Sequence, residues 1–167
     1  MRPHRGMRRR WFLLGMSLSL VACATPQRPL DVDPVWRGRL SIQRPEPEPR
    51  QDTLQFELGG DAAKGWLTLQ SPFGQSLAEL TWSNQQVVWR QGERIQTLQS
   101  LEAWGQRWLG VQVTPHMLFA LLQDPQATLP NWDLERRGAQ QIRLIHQHAP
   151  KVQIRIWVEE RPGHMPS

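Results

Sequence analysis

Side chains able to do chemistry are sparse in this 167-residue chain. It contains no HExxH, no GxSxG, no glycine-rich phosphate loop and no cysteine–histidine metal spacing. His146 and His148 stand two apart, which on a strand would put them on one face. With no further ligand beside them and Pro150 following, they read as a solvated pair near a turn. Glu46 and Glu48 are separated by a proline and have no evident partner, and Glu159 and Glu160 precede a Pro/Gly tail. No nucleophile has an activating neighbour, so the pattern is that of a protein that is not an enzyme and needs no metal or cofactor. One reactive group remains, the thiol of Cys23, the only cysteine.

Cys23 ends a segment that opens with Arg2, Arg5, Arg8, Arg9 and Arg10 and continues as the apolar run Trp11 to Ala22. That is the layout of a secretory signal peptide. The run is about a dozen residues, whereas a membrane-spanning helix needs roughly 20. Leu20-Val21-Ala22-Cys23 resembles a bacterial lipobox, in which the thiol is alkylated with a diacylglyceryl group and cleavage exposes an amino group for a further acyl chain. The alternative is an ordinary signal peptide with a chance cysteine. Each buried methylene contributes about 0.8 kcal/mol, so two or more chains anchor stably where one does not. Ala24 follows the cysteine in place of the aspartate that retains enterobacterial lipoproteins in the inner membrane, so the expected location is the outer membrane, lipid-anchored and facing the periplasm.

This leader changes the meaning of the charge. The chain has 20 basic and 15 acidic residues, and the five arginines before Cys23 account for the whole excess. From Cys23 onward the charges balance, so no nucleic-acid partner is implied. Residues 1–22 are read as the signal peptide, 23–34 as a proline-containing tether, 35–160 as one folded domain and 161–167 as a tail.

The elements of that domain follow from its periodicities. Apolar residues alternate at Leu40/Ile42, Leu54/Phe56/Leu58, Leu67/Leu69, Leu77 to Trp82, Gln86 to Arg90, Ile142 to Ile145 and Val152/Ile154/Ile156/Val158, which predicts half-buried strands. Asn84 predicts a hairpin turn. Arg44 to Arg50 has three prolines and predicts an extended loop between the first two strands. The period then changes. Leu101, Trp104, Trp108 and Leu109 fit a helix capped by Ser100 and ended by Gly110. A second helix starts at Thr114-Pro115, carries Met117, Leu118, Leu121 and Leu122 as its stripe, and stops at Asp124-Pro125. The predicted class is mainly β, antiparallel, with two inserted helices.

Between two strands lies Ser71-Pro72-Phe73-Gly74-Gln75. Proline and glycine flanking Phe73 predict a turn or protruding loop, with the ring either displayed at its tip or folded onto the core. The chain also has nine tryptophans and no tyrosine. Trp66, Trp82, Trp89, Trp104, Trp108 and Trp157 fall on predicted elements, where they serve core packing or line an apolar cavity. Alternation does not decide which of them face inward.

In order along the chain, these features resemble the LolB family of outer-membrane lipoprotein receptors, which share the LolA/LolB-like fold. The matching landmarks are Cys23, then Trp36-Arg37-Gly38-Arg39-Leu40-Ser41-Ile42 like the family's Gly-Arg first strand, then Phe56 in the second strand. Leu67 to Gly74 is similar to its strand and Pro-Leu-Gly loop. Trp108-Leu109-Gly110 followed by Val113, Pro115 and Leu118 is similar to its helical pair. The match is good over Val35 to Pro125 and loose beyond. It implies a half-open antiparallel β-barrel with a short helical lid over an apolar cavity. It implies a monomer that accepts lipoproteins from a periplasmic LolA-like carrier, binds their acyl chains and inserts them into outer-membrane lipid. Leu67, Leu69, Leu101, Trp104, Trp108, Met117, Leu118 and Leu121 would line the cavity and lid, and Pro72, Phe73 and Gly74 would form a membrane-contacting loop. Two features depart from the family. Leu121-Leu122-Gln123-Asp124-Pro125 lacks its usual Trp and Gly, and the chain is shorter than many members. A structural or interaction lipoprotein with the same fold is the alternative.

Overall fold

A computed structural model describes residues 35–45, 48–83 and 86–163; the leader, Cys23, the tether, Glu46 and Asn84 lie outside them. Asp31–Ser167 is a compact unit in its own right. Its strands are β1 (Val35–Arg44), β2 (Arg50–Gly60), β3 (Lys64–Gln70), β4 (Ser76–Ser83), β5 (Gln86–Gln91) and β6 (Arg94–Leu98), then β7 (Trp132–Arg137), β8 (Gln141–His146) and β9 (Gln153–Glu160). Helices α1 (Leu101–Leu109) and α2 (Pro115–Gln123) lie between β6 and β7. One antiparallel nine-stranded sheet results, in the order β6-β5-β4-β3-β2-β1-β9-β8-β7. It does not close, and β6 and β7 are its edges.

This topology dictates where the helices go. The chain leaves the sheet at one edge, β6, and re-enters at the other, β7, so the α1–α2 segment has to cross a face. It crosses the apolar one. Trp36, Leu58, Leu67, Leu80 and Trp89 lie opposite one another across five strands, and all are buried. They form one core with Leu101, Trp104, Phe119, Leu121 and Leu122 of the helices and with Ile142, Leu144, Ile154 and Val158 of the last strands. The other face carries ion pairs. Arg37 holds Glu57 and Glu160, and Arg39 holds Glu159; Glu159 and Glu160 are the last two residues of β9. Pairs this exposed contribute little stability.

Two strands, β6 and β7, were not expected from the sequence. β6 is exposed along almost its whole length, with Ile95 57% exposed. β7 alternates only Trp132, Leu134 and Arg136 against charged residues. Each is an edge strand, bonded on one side and little buried, so it needs no hydrophobic alternation. Gly38 in β1 answers a different need. A Cβ there would lie 2.0 Å from the Trp157 carbonyl oxygen, at the point where the β1–β9 register shifts.

Both helices have the ends their sequences predict. The Ser100 hydroxyl accepts from the Ala103 N–H and the Thr114 hydroxyl from the Met117 N–H. Gly110 ends α1 at a φ of 74°. Their far ends are also held by arginines from distant strands. Arg44 Nη1 of β1 donates to the Trp108 carbonyl at 2.9 Å. Arg136 Nη2 of β7 donates to the carbonyls of Leu121 and Asp124, at 2.9 and 2.7 Å. A cation at a helix C-terminus also complements the helix dipole.

Candidate functional site

Phe73 stands at the tip of the β3–β4 connection. The loop is closed by the Ser71 N–H on the Gln75 carbonyl (2.8 Å) and the Gly74 N–H on the Ser71 carbonyl (2.9 Å). Gly74 takes a φ of 80°, and the Gln75 N–H also donates to the Ser71 hydroxyl. The backbone is thus bonded internally while the aromatic ring is 98% exposed. Of the two outcomes open in the sequence, folded back or displayed, the ring is displayed. Pro72 and Gly74 are exposed beside it. At the opposite end of the sheet the chain enters the domain, since Val35 lies across from Gly59 and next to the β2–β3 turn.

Five of the eight residues expected to line a cavity and lid belong to the common core. Leu67, Leu69, Leu101, Trp104 and Leu121 are all between 1% and 8% exposed. Trp108 is 37% exposed, with its ring 4.9 Å from that of Trp89. The stripe of α2 is turned from the expected one. Phe119, Leu121 and Leu122 are its buried residues, and Met117 and Leu118 are only half-buried. Phe119 meets Trp82 edge-on, with ring centroids 6.3 Å apart. The segment Met117 to Leu122 is apolar on every side, so its period does not select a face; contact with β4 does.

A cleft of about 670 Å³ opens between α2 and the β7–β8 end of the sheet, lined by Met117, Leu129, Trp132, His116, His146 and His148, among others. A groove of about 510 Å³ runs past Trp82, Val87, Leu101 and Pro115. His146 is not simply solvated. Its Nδ1 lies 2.8 Å from the His148 carbonyl and its ring is edge-on to Trp132 at 5.0 Å. No group of three or more His, Cys, Asp or Glu among the described residues can hold a metal ion. No described helix is long and apolar enough to cross a membrane. Arg136, which caps α2, has its pKa lowered by burial; a guanidinium stays charged regardless.

Sequence reasoning missed Phe119, Arg44 and Arg136. Only Phe119 left a signal, as one of six apolar residues in a row.

Together these features define an open antiparallel sheet with a helical pair across its apolar face and an aromatic tip on a strand connection. No family model matches the chain, and no curated protein matches it in sequence. Among solved structures it is similar to a LolA superfamily protein from Nitrosomonas europaea, with 8% identity, a TM-score of 0.45 and coverage of 84% of this chain and 90% of that one.

Proposed function

We propose that this protein is a lipid-anchored receptor of the outer membrane that takes acylated lipoproteins from a periplasmic carrier and passes them to the bilayer. The observation that carries the reading is Phe73, an aromatic ring left 98% exposed on a loop whose backbone is fixed. Leaving such a ring in water forfeits about 1.5–3 kcal/mol of available burial. Contact with an apolar phase recovers it. The lipobox-like Cys23 and the resemblance to the LolB family support a membrane as that phase.

The mechanism is non-covalent. Acyl chains leave the carrier, lodge against the apolar faces of α1 and α2, and move on to lipid. Each site holds them somewhat more favourably than the last, so no nucleotide or metal is needed. Apolar contact has no directional bonds, which suits clients of varied sequence.

One observation favours a second reading, a structural or interaction lipoprotein without a transfer role. The helices and the sheet share a continuous core in which Leu58, Leu80, Leu101 and Leu121 are 1–2% exposed. Purified carrier loaded with a lipoprotein separates the two readings. Appearance of the client on this protein and then in liposomes is the expected result. A client that stays on the carrier refutes transfer and leaves the structural role.

A further inference from the structure

Every histidine among the described residues lines one cleft. His116 comes from α2, His146 from the end of β8 and His148 from the β8–β9 connection, and all three open onto the space of about 670 Å³. Met117, Leu129 and Trp132 give it an apolar wall, and no Asp, Glu, Lys or Arg lines it. Charged groups on the surrounding elements are engaged elsewhere. Asp133 and Lys151 both bond Gln147, Arg136 caps α2, and Arg143 pairs with Glu135. Arg107 of α1 and Asp124 at the end of α2 are not part of the lining. The ionisable groups of the cleft are therefore imidazoles alone.

His146 shows what protonation does there. Its Nδ1 lies 2.8 Å from the His148 carbonyl oxygen, which can only accept, so Nδ1 carries the proton. Neutral His146 then has Nε2 as an acceptor, and a second proton turns that atom into a charged donor. Its ring is edge-on to Trp132 at 5.0 Å and to His148 at 6.0 Å. An uncharged cleft thus becomes cationic as the pH falls, and no carboxylate lines it to balance the charge. The balancing anion has to come from a ligand, and the apolar wall beside it suits a ligand with a hydrocarbon tail. Sites of about 300–1,000 Å³ hold molecules of that size.

We propose that this cleft binds single-chain amphiphiles with an anionic head, a carboxylate, sulfate or phosphate, when its histidines are protonated. The tail lies along Met117, Leu129 and Trp132, and the head lies among His116, His146 and His148. The site goes beyond the transfer reading and does not depend on it. An anion held beside an imidazolium raises the imidazole pKa in the complex, so by linkage its affinity rises as the pH falls. A rise of about one unit on one imidazole is a factor of about ten in affinity.

The test compares octyl sulfate, anionic throughout, with uncharged octanol, which has the same chain. Binding to the compact unit Asp31–Ser167 is measured by calorimetry below micellar concentrations at about pH 8 and about pH 5.5. Octyl sulfate should bind about tenfold more tightly at the lower pH, and octanol equally at both. Proton NMR titration should show imidazole midpoints moved up by about one unit in octyl sulfate. His116→Gln, His146→Gln and His148→Gln, combined, keep a polar lining that cannot take up a proton, and should abolish the rise. The wild-type calorimetry and NMR require no variant, so a triple variant that does not fold leaves the decision with them. Octyl sulfate that binds equally at both pH values, or not at all, overturns the inference. So does an equal rise for octanol, which would mean that protonation reshapes the cleft without reading the head. A rise that leaves the imidazole midpoints unmoved, or survives in a folded triple variant, overturns the assignment to this cleft. Client transfer from a loaded carrier is read separately, so the proposed function can fail or hold whatever the outcome here.

Discussion

Replacing Phe73 by alanine isolates the role of the displayed ring. In the folded protein the ring is 98% exposed, so its removal takes away no packing. Surface changes of this kind alter stability by less than about 0.5 kcal/mol, or roughly 2 °C in melting point for a domain of this size. Loss at a membrane should be much larger. A phenylalanine moved from water to an apolar phase gains about 1.5–3 kcal/mol, a factor of roughly 10 to 100 in partitioning. Phe73→Glu should go further, because a carboxylate opposes entry into the bilayer interior. The assay is flotation of the compact unit with liposomes, alongside a thermal melt and a transfer measurement from loaded carrier. Both variants should melt like the wild type and still receive the client, and both should lose liposome binding and delivery. A melting point lowered by more than about 5 °C would mean that the ring carries folding energy and the geometry is misread. Unchanged melting with undiminished flotation and delivery would reduce the loop to a turn, and the membrane role of Phe73 would be abandoned.

Two further outcomes are expected. Cys23→Ser should abolish labelling by palmitate and release the protein from the outer-membrane fraction without unfolding it; equal labelling, or a wild type that fractionates with the inner membrane, would contradict the lipobox reading. Arg136→Ala should leave the Leu121 and Asp124 carbonyls without their donor and cost about 2 kcal/mol in a denaturant titration, with partial recovery in Arg136→Lys; a loss under about 0.5 kcal/mol would show that the cap is replaceable by water.

What the sequence determined by itself was local. The caps at Ser100, Thr114 and Gly110, the proline at the start of α2 and the inward alternation of β1 to β5, β8 and β9 are set by neighbours a few residues away, so they are legible without a fold. The loop around Phe73 was legible for the same reason, since proline and a positive-φ glycine fix the backbone whatever surrounds it. Direction was not. Nothing local says whether a ring at a loop tip points to water or back to the core, and that depends on whether a distant surface is there to receive it. Strand β6 was invisible because an edge needs only one bonded neighbour and little burial, and β7, the other edge, offers only the short alternation Trp132/Leu134. The stripe expected on α2 was right at Leu121 and Leu122 but not at Met117 and Leu118, because Met117 to Leu122 is apolar all round and Trp82 selected Phe119. Arg44 and Arg136 look like surface charges in the sequence. They became helix caps because the chain crosses the sheet from β6 to β7, bringing the ends of α1 and α2 against strands 64 and 15 residues away. Periodicity carries the information of near neighbours. Long-range pairing decided which side chains lie buried together and that the Phe73 ring stays in solvent.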